Sequence, residues 1–112
     1  MKTGFNGFNE NCLTFPVTSK LAPGTIVSFG SDGKVKKASE DDIFFGVVKN
    51  GDSEYATIMV CGAVELPCDS TVDVGYMGLS VTSTGKLCDG LNNKLRLVLS
   101  VDSTAGKAVI IL

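Results

Sequence analysis

The sequence predicts an all-β fold, a small barrel or sandwich of about eight short strands. No window of eleven residues carries apolar side chains at the 3.6-residue period of a helix. Short apolar runs instead alternate with glycine-rich turns, and the chain has 13 glycines but only 3 prolines. The chain also repeats weakly on itself at an offset of about 51 residues.

The length of 112 residues suits one domain. We expect a single β domain over residues 13–112, preceded by an extended N-terminal arm over residues 1–12. The arm is rich in Gly and Asn, has no periodicity, and carries two isolated aromatic residues, Phe5 and Phe8. It is either a frayed terminus or a segment whose two rings order against a partner surface.

The first predicted strand, Leu13 to Val17, contains Pro16, which lacks a backbone donor. A proline in this position favours a sheet edge or a strand end. Pro23 followed by Gly24 predicts a type II turn, since the third turn position needs a positive φ. A hairpin follows, with strands at Thr25–Phe29 and Lys34–Ala38.

The central segment, Ile43 to Pro67, reads as a buried strand, a polar turn, and a second strand that continues into a third. Gly46 and Gly62 interrupt the apolar runs. A glycine inside a strand typically marks a bend or a close backbone approach. We therefore expect the sheet to curl at these two positions.

The last strands are predicted at Leu79–Thr82, Lys86–Cys88, Leu95–Val101 and Lys107–Leu112. The third of them has the clearest alternation in the chain. Four residues fall on one strand face and three on the other: Leu95, Leu97, Leu99 and Val101 against Arg96, Val98 and Ser100.

The internal repeat aligns the first hairpin with the one led by Gly75, and Gly46–Val60 with Leu97–Ile111. In this alignment Val47 and Val48 lie over Val98 and Leu99. The repeat predicts a pseudo-two-fold arrangement in which each half of the domain covers the other.

Charge argues against a nucleic-acid partner. Ten basic and twelve acidic residues give a net charge of −2, whereas a nucleic-acid surface needs clustered Lys and Arg. The basic stretch Lys34–Lys37 is followed by Glu40, Asp41 and Asp42. Three consecutive carboxylates are expected to repel one another into solvent.

No segment has the roughly 18 to 20 apolar residues that span a bilayer, so no membrane partner is expected. The N-terminus lacks the apolar stretch of a signal peptide, which predicts a protein that stays in the cytoplasm or in a particle assembled there. The spacing of Cys12, Cys61, Cys68 and Cys88 matches no common zinc motif. They are read as small core or near-surface residues, with a Cys61–Cys68 disulfide or a metal as alternatives.

The chain has no histidine, which removes the commonest general base and the commonest metal ligand. Asp69 and Asp73 flank a loop and offer at most a weak cation site. The sequence therefore predicts a protein that is not an enzyme, with no catalytic residues, cofactor or metal.

Four stretches carry a family resemblance: GTIVSFGSDGKVKKA (24–38), DIFFGVVKNG (42–51), ATIMVCGAVELP (56–67) and VGYMGLSVTSTGKL (74–87). Over residues 21–112 the chain resembles the small β-structured capsid decoration proteins of tailed bacteriophages, also called cement or head-stabilising proteins. The resemblance lies in the rhythm of strands and turns, and it is most specific at Ala56–Pro67.

The resemblance implies a virion protein, made in the host bacterial cytoplasm, that binds the outer capsid surface and bridges major capsid proteins. It also implies self-association as a trimer on the lattice. The residues expected to contact the capsid are Phe5, Phe8, Asn9, Leu13 and Phe15. The alternative is a β-structured module on a phage fibre that binds carbohydrate or a host surface. The absence of tryptophan and the presence of only two tyrosines weigh against this alternative.

Overall fold

The computed structural model describes residues 11–40, 42–90 and 93–112, and within these ranges the chain forms ten strands and no helix. The first half contains β1 (Asn11–Pro16), β2 (Ile26–Phe29), β3 (Val35–Lys37), β4 (Gly46–Gly51) and β5 (Tyr55–Cys61). The second half contains β6 (Ala63–Pro67), β7 (Gly75–Val81), β8 (Leu87–Asp89), β9 (Leu95–Asp102) and β10 (Lys107–Ile111). The all-β prediction is confirmed, with ten strands instead of about eight.

The strands form two five-stranded antiparallel sheets with the same topology. Their orders are β1-β5-β4-β2-β3 and β6-β10-β9-β7-β8. One parallel bridge joins the two outer strands of each sheet, between Val17 and Val35 in the first and between Cys68 and Leu87 in the second. Each sheet therefore curls towards a small barrel, and the internal repeat is present in the fold.

Strand register gives the equivalent positions of the two halves. Phe15 pairs with Ala56, and Leu66 pairs with Ala108 in the same way. The pairs Val48–Ile58 and Val98–Ile110 are likewise equivalent. Val48 therefore corresponds to Val98. The alignment of the sequence placed it over Leu99, one residue later. Both strands bulge directly after this pair. The offset changes in the turn that follows, since four residues separate the pair Gly51–Ala56 and six separate the equivalent pair Val101–Ala108.

The predicted turn at Pro23 and Gly24 is present. Gly24 has φ of 88°, and the backbone N–H of Thr25 donates to the carbonyl of Ala22 at 3.2 Å. This is the geometry of a type II turn with proline and glycine at its two central positions.

Gly62 lies where the chain bends, as predicted, and Gly46 lies at a close approach of two strands. Gly62, with φ of 117°, separates β5 from β6, so the chain passes from the first sheet to the second at this residue. Gly46 begins β4 and lies against β5, where a Cβ atom would be 2.5 Å from Cγ2 of Ile58. The close approach of these strands requires glycine.

Two apolar cores fill the domain. The first core belongs to the first half alone: Val17, Val27, Val35, Val48, Ala56 and Ile58. The second core contains nine residues of the second half and four of the first, which are Ile26, Ala38, Phe44 and Val47. Among the described residues, the first half therefore covers the core of the second half, as expected, but no residue of the second half belongs to the core of the first.

The faces of β9 differ from what its alternation suggests. An apolar alternation ordinarily turns the larger apolar set inward, but Leu95 is 64% exposed whereas Arg96 is 6% and Val98 1% exposed. The inner face carries Arg96 and Val98 because that face meets the first half of the chain. Leu95 and Leu97 are left on the outside.

Candidate binding surfaces

The first candidate surface is the outer edge of β1. Among the residues that the structure describes, this strand has β5 as its strand partner and meets β3 at the Val17–Val35 bridge. Five of its six residues are exposed, and Pro16 ends it, as its sequence predicts. An edge of this kind can accept a strand from another chain.

The structure separates the predicted capsid-contacting residues. Leu13 is 55% exposed on β1, whereas Phe15, two residues later, is half-buried against the first core. Phe5, Phe8 and Asn9, together with most of the predicted arm, lie outside the described residues. Of the predicted set, Leu13 is the side chain that β1 leaves exposed to solvent.

Phe15 belongs to a cluster of three rings. The rings of Phe29 and Phe45 stack at 4.3 Å between centroids with 6° between their planes. Phe15 meets both edge-on, at 5.7 Å and 5.4 Å. Phe29 is 52% exposed, so the cluster caps the first core and also forms a surface. We call these three residues the phenylalanine face.

Sequence reasoning missed Phe29 and Phe45 as surface residues because they come from separate strands. Phe29 ends β2, Phe45 precedes β4, and Phe15 lies on β1. Their only local signal is a bulky ring at a strand end, which is equally typical of a core residue.

A second apolar surface lies on the outer side of β7 and β9. Tyr76 is 75% exposed and pairs across the strands with Leu97, which is half-buried. Leu95 falls on the same side as Leu97 by alternation along β9 and is 64% exposed, and Val74, in the bend before β7, is 66% exposed. We call Tyr76, Leu95 and Leu97 the Tyr76 face. Contiguous exposed apolar side chains of this kind mark interaction sites.

A polar depression of about 440 Å³ lies beside β1. It is lined by Thr14, Asn50, Gly51, Asp52, Tyr55, Ala56 and Thr57. The Asp52 carboxylate here accepts hydrogen bonds from the backbone N–H groups of Tyr55 and Glu54, at 2.9 Å and 2.8 Å. These bonds favour the ionised form and lower the pKa of Asp52. Its carboxylate closes the β4–β5 turn.

Asp42 departs from the expectation for the acidic stretch. It does not point away into solvent: its Oδ2 accepts hydrogen bonds from Nζ of Lys36 at 2.8 Å, from the backbone N–H of Ser39 at 2.8 Å and from Oγ of Ser28 at 3.0 Å. The bond from Lys36 is the main cause that lowers the pKa of Asp42, and the bond from Ser39 follows. The hydrogen bonds from these three donors to one carboxylate oxygen outweigh the repulsion between neighbouring carboxylates.

The remaining polar groups form local structure. Asp69 accepts hydrogen bonds from the backbone and the hydroxyl of Thr71. Over residues 11–40, 42–90 and 93–112, no group of three His, Cys, Asp or Glu side chains is placed to hold a metal. Cys61 and Cys68 are thiols, not a disulfide, and burial raises the pKa of the Cys68 thiol.

The fold and these surfaces define an all-β protein of two tandem five-stranded units with apolar faces on its outside. Within the described residues no helix is long and apolar enough to cross a membrane.

Comparison with known proteins gives one informative match. No protein-family model and no curated protein matches the chain. Among solved structures, the chain is similar to the C-terminal fragment of gene product 12 of bacteriophage phi29, with a TM-score of 0.61 and 14% sequence identity. The similarity covers 88% of this chain and 95% of that chain. At this identity it shows a common fold.

Proposed function

We propose that this protein is a structural component of a bacteriophage virion that binds the outer surface of the assembled capsid and bridges neighbouring major capsid proteins. The outer edge of β1, which pairs with no further strand of the described residues and has Leu13 exposed on it, is the observation that carries the proposal. In this proposal the segment before β1 also binds the capsid.

The fold supports a phage role. A protein of bacteriophage phi29 shares this fold over nearly its whole described fragment. Since a fold hosts many functions, this likeness supports the virion role in general, and the capsid role rests on the surface of β1.

The edge of β1 suits attachment by strand addition. Unpaired backbone N–H and C=O groups of an edge strand can pair with a segment of a capsid protein, while Leu13 enters an apolar pocket. A short strand gives modest affinity for each copy. Many copies on a lattice, each touching two capsid proteins, make that affinity sufficient.

The test is co-sedimentation of the purified protein with intact capsids from its own source, followed by electron microscopy of the particles. We expect density at regular positions on the outer shell and a fixed number of copies per particle. Failure to bind any such capsid would refute the proposed function.

Two variants and one control locate the attachment. Deletion of residues 1–10 and the substitution Leu13→Ser are expected to reduce the bound copies at least tenfold, each with an unchanged unfolding temperature. Ile43→Ser removes a side chain of similar exposure, 62%, from the loop before β4 and is expected to bind as the wild type does. Full binding by both β1-side variants would exclude this edge as the attachment site.

The alternative is an adhesion module of a phage fibre that binds carbohydrate or a host surface. Its support is that both tyrosines are exposed, Tyr55 by 54% and Tyr76 by 75%. They lie on different sheets, however, and a sugar platform needs rings that converge. Binding on a glycan array that is lost in Tyr76→Ser would favour this alternative.

A further inference from the structure

The two halves of the chain meet beside Val81, the last residue of β7. Val81 is 1% exposed and belongs to the second core, which four residues of the first half join. It also lines a cleft of about 220 Å³ together with Ile26 and Ala38 of the first half. This end of β7 is therefore an internal junction, closed by apolar side chains from the other half.

Phe29 holds the equivalent position in the first half. It pairs with Val35 on β3, as Val81 pairs with Leu87 on β8. The parallel bridge of each half also ends on these partners, Val35 and Leu87. Phe29 is nevertheless 52% exposed, and among the described residues no side chain of the second half joins the first core. The position that is closed inside one half lies on the outside of the other.

Thr14 is the residue at which β1 offers its backbone to another chain. The backbone N–H of Val17 donates to the carbonyl oxygen of Glu54 at 2.9 Å, on the β5 side of the strand. Backbone groups alternate in direction along a strand, so those of Thr14, three residues earlier, face the outer edge. A strand added at this edge therefore pairs at Thr14, before the bridge from Val17 to β3 closes the edge.

The side chains of such an added strand reach the phenylalanine face. Leu13 and Phe15 lie on one side of β1 by alternation. The ring of Phe15 meets that of Phe29 edge-on at 5.7 Å between centroids, so an apolar surface continues from Leu13 to Phe29. Every second residue of the added strand falls on this side of the sheet, at intervals of about 7 Å. Two residues at positions i and i+2 can therefore cover this surface.

We propose that an extended segment of the major capsid protein pairs with β1 at Thr14 and packs two apolar side chains, two residues apart, on Leu13 and on the phenylalanine face. This inference rests on the proposed function and adds the chemistry of the partner segment. The second core shows what closes the equivalent position, since Ile26 and Ala38 beside Val81 are apolar. A charged side chain of the capsid segment at this place would be buried against three rings without an ionic partner.

Binding of Phe29 variants to intact capsids from the protein's own source tests the contact. We expect Phe29→Thr to weaken binding about tenfold, because less apolar area is then buried on attachment. Phe29→Leu keeps an apolar side chain and is expected to bind within about threefold of the wild type. Tyr76→Thr is the matched control, since Tyr76 is 75% exposed on β7 and lies outside the phenylalanine face. It should bind as the wild type does.

Thermal unfolding accompanies these measurements, because the ring of Phe29 also stacks on Phe45 at 4.3 Å. Binding is compared at a temperature at which every variant is folded. Folded Phe29→Thr that binds as tightly as the wild type would overturn the contact with Phe29 and leave the proposed function standing. A wild type that binds no capsid would refute the proposed function, and this contact with it.

A photocrosslink identifies the occupant without removing the ring. With p-benzoylphenylalanine in place of Phe29, irradiation joins this position to C–H groups in contact with it. On capsid-bound protein we expect a species with the mass of one copy of this chain plus one major capsid protein. Mass spectrometry of its peptides should place the bond in a segment that alternates apolar and polar residues. Particles in which position 29 crosslinks to a second copy of this chain, to its own residues 1–10 or to nothing would overturn the proposal.

Discussion

The guanidinium group of Arg96 joins the two halves of the chain through Phe44. Its Nη2 donates a hydrogen bond to the carbonyl oxygen of Phe44 at 2.6 Å, and its Cζ lies 4.5 Å from the centre of the Phe44 ring. Arg96 is 6% exposed, and burial lowers its pKa below the ordinary value of an arginine. The carbonyl and the ring both face the guanidinium and stabilise the cation, and no carboxylate of the described residues forms an ion pair with it.

We expect Arg96→Ala to lower the free energy of unfolding by about 3 kcal/mol, since it leaves a cavity and an unpaired buried carbonyl. Arg96→Met keeps the apolar stem and should cost only about 1 to 2 kcal/mol, for the lost hydrogen bond. Urea unfolding measures both values.

The neighbouring Lys94 is exposed and provides the control. Lys94→Ala should change the free energy of unfolding by less than about 0.5 kcal/mol. Equal losses for Lys94→Ala and Arg96→Ala would mean that the contact with Phe44 contributes nothing to stability.

Ser28 and Ser80 are buried serines at equivalent positions of β2 and β7, exposed by 3% and 2%. The hydroxyl of Ser28 donates to Asp42, whereas Oγ of Ser80 is buried and has no hydrogen-bond partner in the part of the chain that the structure describes. We expect Ser28→Ala to cost about 1 kcal/mol of unfolding free energy, and Ser80→Ala to be neutral or stabilising by up to about 1 kcal/mol. Thermal unfolding of the two variants side by side gives the comparison, and equal destabilisation by both would contradict it.

Asp42 should make stability depend on pH. Its pKa in the folded state lies below the ordinary value of 3.8, mainly because of the hydrogen bond from Lys36. Its stabilising effect is therefore fully present above the pKa of the unfolded chain and is lost as pH falls through the lower folded value. Asp42 and Lys36 are 34% and 35% exposed, so solvent screening limits the effect to at most about 1 kcal/mol.

The measurement compares the wild type with Asp42→Asn by urea unfolding from pH 7 down to pH 3. The wild type should be the more stable at neutral pH, and the difference should shrink below pH 4. Glu65→Gln, which neutralises an exposed carboxylate on β6, should show no such trend. A difference that stays constant with pH would exclude ionisation of Asp42 as its cause.

The strands and turns could be predicted because their signals are local. Proline at the end of β1, the Pro23–Gly24 turn and the bend at Gly62 each follow from the φ angles that these residues allow. The repeat was visible for the same reason, since turn glycines mark the same points in each half.

The faces of the strands could not be predicted, because packing at long range decides them. Arg96 is buried where its guanidinium binds the carbonyl oxygen of Phe44, 52 residues earlier in the chain. The local alternation of Leu95 and Arg96 therefore does not indicate that the leucine points outward. Asp42 likewise finds a partner in Ser28, 14 residues away. The phenylalanine face combines residues of β1, of β2 and of the loop before β4, and no period in the sequence brings them together.

Gly46 should tolerate a side chain poorly for steric reasons. A Cβ atom there would lie 2.5 Å from Cγ2 of Ile58 and 2.7 Å from the carbonyl oxygen of Met59. The backbone oxygen cannot move without opening the β4–β5 ladder, so we expect Gly46→Ala to lower the free energy of unfolding by about 3 kcal/mol.

Gly24 is the control that separates this steric effect from the effect of backbone conformation. A Cβ atom at Gly24 would meet nothing within 4 Å, although its φ is +88°. Gly24→Ala should therefore cost only the left-handed conformation, about 1 to 2 kcal/mol. Urea unfolding that gives Gly46→Ala the smaller loss would show that β4 and β5 can separate locally, and the curl of the first sheet would then need another cause.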